Sequence, residues 1–332
     1  MRLIIQIPCY NEEKSLPVTI TDLPRQLSGV TSIEYLIIND GSQDRTEEVA
    51  RRCGVHHIVN LTQNSGLAVG FMAGLDACLK LGADIIVNTD ADNQYCGLDV
   101  ETIIRPLLEK RADIVIGERP INETEHFSWL KKKLQRLGSW VVRLASKTDI
   151  PDAPSGFRAF TRDAAMKINV VSEYTYTLET IIQAGCKNMT ILSVPVRTNP
   201  DMRESRLFKS MWQYIKRSIF TILRIFIMYK PLYFFMSLGL CFFGVGFLIG
   251  LRYLILLWFY NSSGQHIQSL ILAAILILIG VQTMVLGLQA DMIAANQKII
   301  EDVQYRVRRI FYDKETQDNF FEKGHEDENR CL

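Results

Sequence analysis

Asp90 and Asp92 stand two residues apart in the stretch Asn88-Thr89-Asp90-Ala91-Asp92-Asn93-Gln94, just past the apolar run Ile85 to Val87. In extended backbone, residues i and i+2 share a side. Two carboxylates so placed are hard oxygen ligands suited to Mg2+ or Mn2+, which keeps waters and takes the rest of its shell from phosphate oxygens. Gln94, two residues further on, completes or orients that shell. Asp40 lies in Asn39-Asp40-Gly41-Ser42, where an apolar run meets a glycine turn. It is placed to accept hydrogen bonds from a uracil or guanine ring or a ribose hydroxyl, or to serve the turn itself.

Such groups need a sheet to hold them. Ile- and Val-rich runs recur at Leu3 to Ile7, Tyr35 to Ile38, Ile85 to Val87, Ile114 to Ile116 and Ile191 to Val194, with helical stretches between them. Continuous apolar strands alternating with helices predict an α/β fold whose mainly parallel sheet is covered on both faces, with ligands beyond the carboxyl ends of the strands. Gly66, Gly70 and Gly74 are spaced for one face of a helix and predict close packing on that sheet rather than a dinucleotide loop. His56-His57 has no carboxylate or cysteine at ligand spacing and reads as a surface pair.

The 332 residues are 48% hydrophobic and 22% charged, with 37 Lys and Arg against 36 Asp and Glu. That composition excludes a disordered polymer and argues against a nucleic-acid binder. Seven dispersed cysteines form no close pair of the zinc or redox kind and read as thiols in a reducing compartment. Met1-Arg2 passes straight into Leu3 to Ile7, which Pro8 ends, so no signal peptide is expected and the soluble part is placed in the cytosol.

The charge average hides a split, for no Asp, Glu, Lys or Arg occurs from Tyr253 to Ala290. Pro231 to Leu251 and Ile267 to Ala290 are each near the roughly 20 residues that cross a bilayer. The polar segment Tyr260 to His266 joins them as a hairpin turn, with Arg252 at the far end of the first span. Lys and Arg gather before the first span and after the second, which places both flanks in the cytosol. Trp212 to Tyr229 reads as a helix at the membrane surface, a mixed helix runs from Asp291 to about Phe311, and the tail from Asp313 reads as loose. The expected parts are a catalytic domain at 1–206, juxtamembrane helices at 207–230, a transmembrane hairpin at 231–290 and a cytosolic helix and tail at 291–332.

Taken in order, Pro8-Cys9-Tyr10-Asn11-Glu12, Asn39-Asp40-Gly41-Ser42, Asn64-Ser65-Gly66, Asp90-Ala91-Asp92-Asn93-Gln94, Asp152-Ala153-Pro154-Ser155-Gly156-Phe157-Arg158 and the two spans resemble the family-2 glycosyltransferases. The likeness is to the polyprenyl-phosphate type, the group of dolichyl-phosphate mannosyltransferases and bactoprenol glucosyltransferases. It implies a Rossmann-like (GT-A) nucleotide-sugar domain and an enzyme that passes a hexose from a UDP- or GDP-linked donor to undecaprenyl or dolichyl phosphate with inversion. It further implies that Asp40 contacts the nucleoside, that Asp90, Asp92 and Gln94 hold the metal on the donor diphosphate, and that Pro8, Tyr10, Asn11, Glu12, Gly66 and Ala91 line the donor site. Gly117-Glu118-Arg119 stands where that family often has Gly-Ser-Arg, and Met202-Arg203-Glu204-Ser205-Arg206 lacks the usual loop glycine, so the sugar stays open.

A phosphate monoester, with a second pKa of about 6, is already a competent nucleophile near neutral pH. The work left to the protein is to bring two anions together and stabilise the leaving diphosphate. Besides Asp92, the candidates are Arg119, Arg136 and Ser139 for the acceptor phosphate, Arg203 and Arg206 on a loop closing over the donor, and Asp152 to orient sugar or acceptor or to cap a turn. Each arginine has a solvated surface charge as its plainer reading. Leu130, Leu134, Leu137, Val141 and Leu144 make one helix stripe with basic flanks, fit for the headgroup layer or for the domain's own core. A processive polysaccharide synthase would carry Gln-x-x-Arg-Trp and more spans, and a non-catalytic nucleotide-sugar-binding scaffold would not keep both carboxylates and Gln94. A two-helix hairpin also gains by self-association into a homo-oligomer.

Overall fold

The strand Arg2–Cys9 (β1) is buried along most of its length, which calls for a place inside a sheet rather than at its rim. In the computed structural model it pairs in parallel with Ser32–Asp40 (β2) on one side and Ile85–Asn88 (β4) on the other. His57–Leu61 (β3), Ile114–Glu118 (β5), Arg158–Thr161 (β6) and Ile191–Pro195 (β7) complete a seven-stranded sheet ordered β3-β2-β1-β4-β6-β5-β7. All described strands run in one direction except β6, which is antiparallel to both β4 and β5. The structure describes residues 1–120, 150–170, 176–200, 223–224, 227, 230–260 and 267–330.

The helices Leu16–Asp22 (α1), Thr46–Arg52 (α2), Leu67–Lys80 (α3), Val100–Leu108 (α4), Arg162–Lys167 (α5) and Thr177–Cys186 (α6) follow strands or lie between them. One face of the sheet presents Leu3, Ile5, Ile7, Tyr35, Ile37, Ile85 and Val87 to Leu16 and Ile20 of α1 and to Val100, Ile103, Ile104 and Leu107 of α4. Burying a side chain of this size contributes about 1.5–3 kcal/mol over leaving it exposed. The other face meets α3. There a Cβ at Gly74 would fall 2.5 Å from Gln6 Oε1 and 2.8 Å from Ile38 Cδ1, so only glycine lets the helix lie this close, in agreement with the packing expected of that glycine row.

The five predicted runs are all strands, and two strands were not anticipated. β6 is only four residues long and opens on an arginine, and β3 is an edge strand buried only in part. Pairing of β3 with β2 also corrects the surface-pair reading of the histidines. His56 is exposed, but His57 Nε2 lies 2.6 Å from Glu34 Oε2, whose carboxylate is shared with Arg2.

Two compact units divide the chain, Met1–Ser218 with Glu301–Leu332, and Ile219–Ile300. In the second unit Pro231–Tyr260 (α7) and the first part of Ile267–Arg330 (α8) are long and apolar enough to cross a membrane. They approach through small residues, as membrane helices do. A Cβ at Gly280 would meet Phe243 N at 2.7 Å and Gly239 O at 2.8 Å, and one at Gly246 would lie 3.0 Å from Ala273 O. The first helix does not stop at Leu251: it runs on to Tyr260, so Arg252 lies within it. Nor is the chain loose from Asp313, because α8 continues to Arg330. That stretch is rich in Glu, Lys, Asp and Gln without a proline, and polarity of this kind does not oppose helix. Of the expected surface helix, Leu223, Arg224 and Ile227 are helical; the rest of Trp212 to Tyr229, and the stripe from Leu130 to Leu144, lie outside the described residues.

Candidate active site

The loops leaving β1 and β2 are fastened to each other. Asn11, at φ 55°, takes Gln43 N–H on its Oδ1 at 2.8 Å and donates its own N–H to Ser42 Oγ at 3.0 Å, while Glu12 N–H donates to Thr46 Oγ1 at 2.9 Å. Asp40 is buried, its two carboxylate oxygens accepting the N–H groups of Ser65 (2.7 Å) and Gly66 (3.0 Å). Gly66 at φ 94° then opens α3. Of the two roles expected for Asp40, the one displayed here is the structural one: it anchors the loop after β3. Beside it Tyr10, Gly41, Ser42, Glu47, Asn60 and Asn64 line a cavity of about 530 Å³, within the range of small-ligand pockets.

Past β4 the backbone does not stay extended. Thr89 N–H donates to Gln6 O, the chain turns at Ala91 and Asp92, and Asn93 takes φ 57°. Asp92 Oδ1 accepts the Gln94 N–H at 3.2 Å. The carboxylates are thus brought to one locale by a turn rather than by strand alternation. Burial, and next the like charge of Asp92, push the Asp90 carboxyl up to about 7 against the opposing pull of Arg119 and Arg158, with Glu12 adding a smaller upward push. Ala91 is buried, and its carbonyl accepts the Thr19 hydroxyl at 3.0 Å.

The antiparallel course of β6 brings the Ser155–Gly156 turn to the same end of the sheet. A Cβ at Gly156 would fall 2.7 Å from Asp90 Oδ2 and 3.0 Å from Oδ1, so the missing side chain is the space the carboxylate occupies. Gly156 is held on both sides: its N–H donates to Tyr95 Oη at 3.0 Å and its carbonyl accepts Asn88 Nδ2 at 2.8 Å. Asn88 also donates to Tyr176 Oη and accepts Gln6 Nε2 at 2.9 Å, a buried polar chain running back into β1. Arg158 is fully buried, donating to the carbonyls of Ala153, Ser155 and Thr177 and to Thr180 Oγ1. Burial pulls its guanidinium down to about 10, still charged at neutral pH.

Arg119 and Asp152, 33 residues apart, form a two-pronged pair: Nε–Oδ2 2.8 Å and Nη2–Oδ1 3.0 Å, with the Arg119 N–H adding a third contact to Oδ2. Asp152 is fully buried, so its carboxylate is committed to Arg119 rather than to a turn cap, and the guanidinium is not a solvated surface charge. Burial opposes that charge, but Asp152 outweighs it and raises the Arg119 pKa. Arg119 Nη1 faces Gln94 Oε1 at 3.4 Å. Glu12, Asp90, Asp92, Gln94, Arg119 and Asp152 therefore gather at one end of the sheet, while Pro8 lies inside β1 beside Gly70. Arg136, Ser139, Arg203 and Arg206 lie outside the described residues. Sequence reasoning did not single out Gln6, Asn88, Tyr95 or Tyr176; an Asn closing an Ile-rich strand was the available signal.

Asp90 and Asp92 supply hard oxygen donors, Gly156 leaves the Asp90 carboxylate room, and among the described residues no hydrogen-bond donor reaches it. These residues fit Mg2+ or Mn2+.

The mostly parallel sheet with one reversed strand, and the acidic turn beyond β4, define a GT-A-like α/β fold. Residues 4–168 match the model of glycosyl transferase family 2. An uncharacterized protein of Methanocaldococcus jannaschii is 31% identical over 204 residues, 59% of this chain and 81% of that protein. UDP-N-acetylglucosamine–dolichyl-phosphate N-acetylglucosaminyltransferase of Methanococcus voltae is 30% identical over 216 residues, 58% of this chain and 83% of its own length. Polyprenol monophosphomannose synthase of Mycolicibacterium smegmatis is 24% identical, covering 67% and 85% respectively. The chain belongs to glycosyl transferase family 2. In fold it is similar to glucosyl-3-phosphoglycerate synthase from Mycobacterium tuberculosis, solved in complex with Mn2+, UDP and glucosyl-3-phosphoglycerate, with a TM-score of 0.53 at 16% identity over 68% of this chain and 78% of that one.

Proposed function

We propose that this chain is a membrane-bound inverting transferase that moves a hexose from a UDP- or GDP-linked donor to a polyprenyl phosphate, giving a sugar linked to a lipid monophosphate. The observation that carries the reading is the Asp90–Asp92 turn at the ligand end of the sheet in a chain that also has two helices of membrane length. The relatives named as a dolichyl-phosphate N-acetylglucosaminyltransferase and a polyprenol monophosphomannose synthase support it.

Asp90 and Asp92 would hold the divalent cation, with Gln94 beside them. When bound, that cation supplies positive charge to the departing nucleoside diphosphate. Tyr95 holds the Gly156 turn that leaves room for the Asp90 carboxylate, and the Arg119–Asp152 pair fixes the flank of the cleft next to Gln94. Tyr10, Ser42 and Asn60 line the cavity that would take the nucleoside, beyond the loop that Asp40 anchors. The acceptor phosphate dianion needs no strong base, only countercharge. Arg136, Ser139, Arg203 and Arg206 are the candidates for it. The catalytic part and both termini face the cytosol in this reading, where a soluble donor and a lipid-borne phosphate meet.

Purified membranes incubated with undecaprenyl phosphate and a panel of radiolabelled nucleotide sugars test the whole reading. One sugar should enter the lipid fraction, and Asp92→Asn or chelation of divalent ions should abolish the transfer. Transfer undiminished by either treatment would overturn the metal assignment, and absence of lipid product with every donor would overturn the function.

A further inference from the structure

We infer that the Glu301 to Tyr312 stretch of α8 is a strap that positions the catalytic cleft, with Arg308 as its chief positioning residue. The inference deepens the transferase reading and rests on it for the activity readout alone.

The strap is seated by specific polar contacts within the first unit. Tyr305 donates its hydroxyl to Asp163 Oδ1 at 2.6 Å, and its ring lies 5.2 Å from Lys167 Nζ. Glu301 pairs with Lys187 at 3.0 Å. Tyr312 is 3% exposed, hydrogen-bonded through its hydroxyl to Asp76 while its carbonyl accepts Arg162 Nη2. An exposed helix laid on a surface would not bury its aromatic end this way.

Its second task is to cap a helix. The last carbonyls of a helix have no partner within it. At the end of α5, Arg308 Nη1 donates to Ile168 O at 2.8 Å and reaches Met166 O at 3.4 Å, while Lys187 Nζ donates to Lys167 O. Two cations thus close α5, and the one that caps Ile168 is supplied by a helix about 140 residues away.

From there the contacts lead to the site. Asn169, next after Ile168, is gripped by Gln183 of α6, which accepts the Asn169 N–H at 2.9 Å and donates to its carbonyl. The first turn of α6 carries Thr177 and Thr180, which hold Arg158, and is preceded by Tyr176, whose hydroxyl bonds Asn88. Arg158 and Asn88 in turn hold the carbonyls of Ser155 and Gly156, the turn that leaves room for Asp90. Arg308 therefore touches no reacting group and acts through the placement of α6.

The test uses the full chain in lipid nanodiscs, with hydrogen exchange of Asn169 and α6 read beside transfer kinetics. Arg308→Ala should speed exchange of the Asn169 and early α6 amides about tenfold and lower kcat at least threefold, with KM for the nucleotide sugar within twofold of wild type. Arg308→Lys, which can still reach the α5 carbonyls, should recover at least half of both effects. Tyr305→Phe keeps the ring over Lys167 and loses one hydrogen bond, so it gives a milder readout should Arg308→Ala fold poorly; about a twofold rise in α6 exchange is expected. Unchanged α6 exchange in both variants, or a loss of kcat that Arg308→Lys does not relieve, would overturn the strap. If wild type transfers no sugar, the transferase reading falls, and the exchange measurements still decide the strap.

Discussion

Gly156→Ala is the sharpest single perturbation of the site, because the residue has no positive φ and the added methyl acts by space alone. Its Cβ would stand 2.7 Å from Asp90 Oδ2, 3.0 Å from Oδ1 and 3.2 Å from Cγ, where ordinary contact begins at 3.4 Å. The turn cannot retreat easily, since Tyr95 and Asn88 hold the residue on both sides. The Asp90 carboxylate must therefore move by about 0.7 Å. Misplacing a reacting group by ~1 Å costs about a hundredfold in rate, so transfer should fall on the order of ten- to a hundredfold. Overpacking should cost about 1–3 kcal/mol of stability, too little to unfold a domain of this size. The assay is lipid-linked sugar formed per minute by purified protein in detergent at saturating donor and Mn2+, with a thermal melt to verify folding. A folded Gly156→Ala protein within twofold of wild-type rate would refute the reasoning that the Asp90 position matters.

Glu34 gives a pH prediction outside the site. Burial would raise its carboxyl, but hydrogen bonds from Arg2 and His57 outweigh that and hold it below the usual carboxylate range. Its contribution is therefore present at neutral pH and lost as pH falls through the folded-state value. Urea melts of Glu34→Gln should show the largest loss against wild type near neutrality and a shrinking one below about pH 4; a gap that widens on acidification would contradict the pairing. In the apolar pair, Gly280→Leu forces a side chain against Phe243 N and Gly239 O, and the α7–α8 contact should open at a cost of about 1–3 kcal/mol. SDS titration followed by circular dichroism should show an earlier midpoint, and an unchanged one would mean the two helices do not need this approach.

The strands legible in the sequence were those that carry an Ile- or Val-rich run, four of them flanked on both sides, as with Ile4 and Ile5 or Ile37 and Ile38, and one, β7, at the edge of the sheet. β6 was not legible because its first residue is an arginine, and nothing in a linear pattern shows that three carbonyls and a hydroxyl will receive it. Asp90 and Asp92 were readable as a pair, yet the left-handed Asn93 and the turn before it were not, since Asn tolerates that conformation without announcing it. The Arg119–Asp152 pair joins residues whose separation carries no periodic signal. The helix from Asp291 to about Phe311 was legible but its seat was not, because the partners that fix Tyr305, Arg308 and Tyr312 lie on α3, α5 and the residue after it, far upstream.

The reversed strand also governs the order in which a growing chain can fold. β4 and β5 have no hydrogen bonds to each other, and only β6 joins them, with Asn88 opposite Arg158 and Ile114 opposite Phe160. A ribosome that has released the first 120 residues has made both flanking strands but not the one that seals them. Until residues 158–161 emerge, one edge of β4 and both edges of β5 lie open, the kind of edge that recruits other chains. The Asp90 turn and Arg119 belong to opposite sides of that gap, so the cleft is assembled at the moment of closure. Slow translation between residues 120 and 160 would lengthen the exposure, which makes this stretch of the message the place where synthesis rate bears on yield.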